Sequence, residues 1–233
     1  IDALKRYLID KDESYRILEV EEYGTRSSMA AETGNSKLVM VRSCPGFPIN
    51  SYEPIECSLS DKRFVVNPQE GSFVFVTDWE MFTIPDDVIV IGIENMENFR
   101  MIRQQRHLFE EYLHRHGLPQ KALFVSRYPQ SSDLRKWLTS ISNKYIHFGD
   151  FDLAGIHIFL SEFQKYLGEE RTYYLIPDDI SSRLKHGSTN RYDEQYLRFK
   201  ETNTDIEELQ LLIDFINRER KGYDQEGYIK SDY

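Results

Sequence analysis

Val88-Ile89-Val90-Ile91-Gly92-Ile93-Glu94-Asn95 decides how this chain is read. A short, unbroken apolar run ending on a carboxylate is what a strand covered on both faces looks like, with the acid just past its end. Downstream, Phe99, Ile102, Phe109, Tyr112 and Leu113 fall on one face of a helix that Gly117-Leu118-Pro119 stops. Ala122–Val125 is a second strand, and Ser131-Ser132-Asp133-Leu134 caps a helix carrying Leu134, Trp137, Leu138 and Ile141. Tyr145–Phe148 is a third strand, followed by a helix from about Leu153 with Ile156, Leu160, Phe163 and Leu167 inward. Thr172–Ile176 is a fourth. A last helix is expected from Asp205, with Asp205 and Glu208 at the two positions of a capping box and Leu209, Leu212, Ile213 and Ile216 buried. Beyond Gly222 periodicity fades, and a loose tail is expected. Buried strands alternating with amphipathic helices predict an α/β fold, a parallel sheet flanked by helices.

Upstream the pattern is mixed. Leu4–Ile9 reads as a helix end, Tyr15–Val20 as a weak strand, and Lys37–Arg42 and Gly71–Val76 as better strands, with Cys44-Pro45-Gly46-Phe47-Pro48 a turn-rich connection between them. The expected division is a small N-terminal α+β lobe over residues 1–84 and an α/β domain with a C-terminal helix over 85–233. Ile1–Leu8 reads as the middle of something, so the chain is expected to be the C-terminal part of a longer protein.

With 233 residues the chain can bury one good core. Its 15 Tyr and 14 Phe argue for packed structure rather than disorder. No apolar stretch of about 18 residues occurs, so a membrane partner is not expected and a cytoplasmic location is. Cys44 and Cys57 have no companion ligands for zinc and read as two reduced thiols. The formal net charge of −10 argues against holding DNA by phosphate neutralisation alone. It is compatible with metal-binding carboxylates and with a partner that brings the basic surface.

In an open parallel sheet, ligands bind beyond the carboxyl ends of the strands. Glu94 stands there after the first strand, and Gly149-Asp150-Phe151-Asp152 after the third. In extended backbone residues i and i+2 share a side, so Asp150 and Asp152 converge while Phe151 points away. Three carboxylates at one rim repel unless a divalent cation sits among them, and Mg²⁺ and Mn²⁺ prefer such oxygens. Against this, Asp152 is also well placed simply to cap the helix that follows.

Two motifs, Val90-Ile91-Gly92-Ile93-Glu94-Asn95 and Phe148-Gly149-Asp150-Phe151-Asp152-Leu153-Ala154-Gly155, resemble those of a Toprim domain. The likeness runs from about Asp86 to Ile180 and is closest to the topoisomerase VI A-subunit group. Within that group it is closest to JetD, the nuclease subunit of Wadjet-type plasmid-defence systems. It implies a Toprim-like sheet, Glu94 as an acid–base or metal-binding glutamate, and Asp150 and Asp152 as metal-binding aspartates. It further implies a Mg²⁺- or Mn²⁺-dependent DNA endonuclease, a hydrolase in an anti-plasmid or anti-phage complex. Its partners would then be DNA, SMC-like or other defence subunits, and a second copy in a homodimer. Topoisomerase VI-like enzymes instead break DNA with a tyrosine, and Tyr23 in Glu21-Glu22-Tyr23-Gly24 lacks the context of that tyrosine. Hydrolysis is therefore favoured over a transesterase whose tyrosine lies elsewhere. An inactive interaction module is the alternative of a different class.

Other residues carry weaker signals. Glu97, one turn beyond Glu94, and Asp178 and Asp179, after the fourth strand, would extend the site or merely start helices. His107, His114 and His116 read as helix surface and His147 as packed within a strand. Arg26, Lys37, Arg183, Lys185 and His186 would touch phosphate or only solvent. An aspartyl-phosphatase reading of Asp150-x-Asp152 wants Thr or Val where Ala154 stands.

Overall fold

The computed structural model describes residues 45–127 and 132–229. The elements expected at Leu4–Ile9, Tyr15–Val20 and Lys37–Arg42, together with Tyr23, Arg26, Cys44 and the capping Ser131, lie outside those residues.

Nine strands are described: β1 (Phe47–Asn50), β2 (Ile55–Leu59), β3 (Lys62–Val66), β4 (Val74–Val76), β5 (Phe82–Thr83), β6 (Val88–Ile93), β7 (Lys121–Ser126), β8 (Tyr145–Phe148) and β9 (Thr172–Tyr174). Six form one sheet in the order β4-β1-β7-β6-β8-β9, and β3-β2-β5 form a second. All six residues of β6 are buried, as its apolar run requires, and it lies between β7 and β8 with both pairings parallel. β9 continues the parallel order beside β8.

The sheet is mixed rather than parallel throughout, which corrects the expectation. The reason lies in Cys44–Pro48, read as a connection for its Pro and Gly. Phe47–Asn50 is a fully buried strand antiparallel to both β4 and β7. Pro48 is tolerated because pairing to β7 begins one residue later, at Ile49. Strands from before residue 84 thus enter the main sheet. The small sheet meets the main one where Phe82 packs edge-on against Phe47 of β1 at 6.5 Å, and Trp137 braces both, stacking on Phe82 at 5.3 Å and donating its indole N–H to the Phe82 carbonyl at 2.9 Å.

The described α-helices of five residues or more are α1 (Met96–Arg100), α2 (Arg106–Arg115), α3 (Ser132–Ser140), α4 (Leu153–Ile158), α5 (Ile180–Leu184), α6 (Thr189–Phe199) and α7 (Glu207–Glu219). The single helix expected after β6 is two, separated by a turn around buried Gln105, although Phe99, Ile102, Phe109, Tyr112 and Leu113 are all buried as expected. α4 continues as a π-helical stretch over Phe159–Gln164. α7 starts at Glu207 with no side-chain cap, so the Asp205/Glu208 capping box does not form. Among the described residues after Gly222, residues 223–229 are packed, not loose. Phe151 and Tyr223 exchange backbone hydrogen bonds at 2.9 and 3.1 Å, and a 3₁₀ turn follows at Gln225–Tyr228. Among the described residues no helix is long and apolar enough to cross a membrane.

Candidate metal centre at the sheet edge

Because β6 and β8 run side by side in the same direction, their ends deliver Glu94 and Asp150 to one edge of the sheet. The Glu94 N–H donates to the Phe148 carbonyl at 3.1 Å, which ties the two strand ends together. The Glu94 carboxylate is nearly enclosed. Arg127 Nη1 donates to Oε1 at 2.7 Å, and His147 Nε2 lies 3.8 Å from Oε2. Burial alone would raise its pKa; His147 and Arg127 outweigh that and hold it below the ordinary glutamate value.

Asp150 is placed differently. Oδ1 accepts from the Gln225 N–H at 3.0 Å and Oδ2 from Arg191 Nη1 at 2.9 Å. Burial, with Asp152 and Glu94 adding repulsion, outweighs those donors and pushes its pKa up to about 6. Phe151 is fully buried, as alternation predicts. Asp152 Oδ1 caps α4 by accepting from the Gly155 N–H at 2.8 Å, so the capping role is real. Its Oδ2 accepts from Gln195 Nε2 at 2.9 Å and Arg191 Nη1 at 3.2 Å. Gly155 is required there, since a Cβ would lie 2.4 Å from the Asp150 carbonyl oxygen.

Two further carboxylates come from the tail. Asp224 and Glu226 join Asp150 in a group whose ligand oxygens lie within 4.8 Å of one another. Asp224 also pairs with Arg191 Nη2 at 2.6 Å, and Glu226 accepts from Asn95 Nδ2 at 2.5 Å. Arg191, held in α6 by the Ser188 cap, therefore touches Asp150, Asp152 and Asp224 at once. Sequence reading missed Asp224, Glu226, Arg191 and Gln195. The available signal was Asp224-Gln225-Glu226, which repeats the i, i+2 acids of Asp150–Asp152.

The remaining candidates lie elsewhere. Glu97 pairs with Arg100 on the surface, Asp178 with Arg115, and Asp179 with Arg183 and the Tyr228 hydroxyl. Arg183 also donates to the Tyr223 hydroxyl and the Gly227 carbonyl, so it clasps the tail. Lys185 and His186 are exposed, and the Lys221 ammonium donates to the Lys185 carbonyl. His116 packs on Tyr112, while His147 is buried beside Glu94. Cys57 is buried and its thiol is pushed up to about 12, so it is no reactive nucleophile.

Residues 62–233 match the family DUF7281, a domain of unknown function, and the chain belongs to that family. No curated protein matches the chain.

Proposed function

We propose that this chain is a Mg²⁺- or Mn²⁺-dependent DNA endonuclease of a Toprim type. The observation that carries the reading is the delivery of Glu94 and Asp150 by neighbouring parallel strands to one edge, where Asp150, but neither Glu94 nor Asp152, forms a cluster of oxygen donors with Asp224 and Glu226. The donor set fits the ion: carboxylates only, with one member, Asp150, whose ionisation is resisted until about pH 6 by burial and then by Asp152 and Glu94. Asp150, Asp224 and Glu226 would hold a cation, with Asp152 and Glu94 beside them. A divalent cation at such a site offsets charge that develops on a phosphodiester and lowers the pKa of water. The protein's own share is to fix these oxygens: Gln225 and Arg191 orient Asp150, the α4 N-terminus and Gln195 orient Asp152, and Arg127 orients Glu94. The net charge of −10 supports a partner, such as an SMC-like subunit of a defence complex, that supplies basic surface for DNA.

Arg191 favours a second reading. A guanidinium shared by three acids offsets part of their charge and holds them together without an ion, as in a metal-free interaction module. Incubation with supercoiled plasmid and Mn²⁺ separates the two. Nicking that EDTA suppresses and Asp150→Asn abolishes supports the nuclease; intact plasmid at every cation tested, with partner subunits present, supports the module.

A further inference from the structure

A buried polar chain leads away from the acidic cluster. Tyr145 and His147 lie two residues apart on β8, and Tyr145 Oη is 3.0 Å from His147 Nδ1. Both side chains are buried. On the other side of the ring, Nε2 lies 3.8 Å from Glu94 Oε2 and has no hydrogen-bond partner among the described residues. Phe159, Phe163 and Tyr174 surround the imidazole with ring centroids at 5.7, 5.1 and 5.7 Å, which fixes its plane. Two glycines make room for the chain. A Cβ on Gly92 would stand 2.1 Å from Tyr145 Oη, and one on Gly149 would stand 2.6 Å from Glu94 Oε2 and 2.9 Å from His147 Nε2.

We infer that His147 is a positioning residue for Glu94, with the Tyr145 hydroxyl donating to Nδ1 and so placing the ring proton on Nε2, facing Glu94 Oε2. Among the described residues His147 Nδ1 stands within hydrogen-bond distance of the buried Tyr145 hydroxyl, and a buried hydroxyl that does not donate leaves its proton unpaired, at a cost of about 1–3 kcal/mol. Burial raises the Tyr145 pKa far above the ordinary tyrosine value, so the hydroxyl keeps the proton it donates. The nitrogen opposite a filled acceptor carries the remaining proton. Nε2–H then needs an acceptor, and Glu94 Oε2 becomes one when the gap shortens to a normal ~3.0 Å. Arg127 on Oε1 and His147 on Oε2 would together set the plane of the carboxylate, as outer partners do for ligating side chains. The consequence for catalysis rests on the proposed role of Glu94 in phosphodiester cleavage.

The test begins with the full chain labelled with ¹⁵N and imidazole spectra taken above the ordinary histidine range. A protonated Nε2 and a bare, hydrogen-bonded Nδ1 on His147 are expected, with Tyr145→Phe shifting that ring alone toward the other tautomer. A proton on Nδ1 in the unmodified chain overturns the inference. In the nicking assay, His147→Leu should lower kcat about 10–100-fold with KM unchanged, and His147→Gln, which can present an amide N–H, should recover most of it. Tyr145→Phe keeps the ring packing and gives the same kcat readout if His147→Leu fails to fold. Unchanged kcat in both, while Glu94→Gln is inactive, defeats the positioning role and leaves the functional reading intact. Full cleavage by Glu94→Gln defeats the role of Glu94 and, with it, the catalytic half of this inference.

Discussion

Glu94 and Asp150 end neighbouring strands, yet one carboxylate is matched by its surroundings and the other is not. Glu94 has a guanidinium on one oxygen and His147 toward the other, and its charge is favoured. Asp150 shares a single guanidinium with Asp152 and Asp224, and its charge is resisted until about pH 6. Sites that bind cations keep uncompensated carboxylate charge, whereas structural ion pairs spend theirs on a built-in partner. On the proposed reading, the difference assigns an external cation to the Asp150 side, with Glu94 a group held beside it.

Substitutions that remove each charge should therefore act in opposite directions on stability. Asp150→Asn should lower Mn²⁺-dependent cleavage at least about 100-fold, since a ligand is lost. It should also raise the stability of the cation-free protein at pH 7 by about 1–2 kcal/mol, because the penalty of ionising a partly buried carboxyl disappears. A raised folded-state pKa penalises the native protein only above the unfolded value, so the gain should vanish near pH 4, as thermal melts across pH would show. Glu94→Gln should instead destabilise by about 2–3 kcal/mol at pH 7, leaving the half-buried Arg127 with only its longer 3.5 Å pair to Glu162. Its lowered pKa means that this loss shrinks as pH falls below the glutamate range. Equal signs for the two variants would break the comparison.

Arg191→Met should destabilise the cation-free chain by about 1 kcal/mol, as three acids lose their shared counter-charge. Mg²⁺ should restore more stability to this variant than to the unmodified chain, which calorimetry with and without the ion measures. Cation affinity of the unmodified chain should fall about tenfold per pH unit below about 6, as protons compete at Asp150. A flat titration from pH 5 to 8 would remove Asp150 from the ligand set. The smallest effect is expected at Asp178, whose pair with Arg115 is exposed on both sides. Asp178→Asn should cost under about 0.5 kcal/mol and leave cleavage unchanged.

Much of the α/β core was legible because burial on both faces leaves a plain mark. Val88–Ile93 and Ala122–Val125 are unbroken apolar runs, Tyr145–Phe148 is one interrupted only by His147, and each lies in a strand of the main sheet. The antiparallel side was hidden by Pro48 and Gly46, turn residues by composition that the sheet accepts where β1 meets its neighbours. At the site, strand ends and i, i+2 spacing identify Glu94, Asp150 and Asp152 as one edge. Asp224, Glu226 and Arg191 are brought there by long-range contacts, Gln225 N–H to Asp150 and the Phe151–Tyr223 bridge, which no local pattern encodes.

Anomalous diffraction from a crystal of the unmodified chain soaked in Mn²⁺ tests the central claim most directly. The account predicts a manganese peak bound by Asp150 and at least one of Asp224 and Glu226, with the Arg191 guanidinium withdrawn from Asp150. A map with no peak at this edge, and Arg191 still bridging Asp150, Asp152 and Asp224, would contradict it.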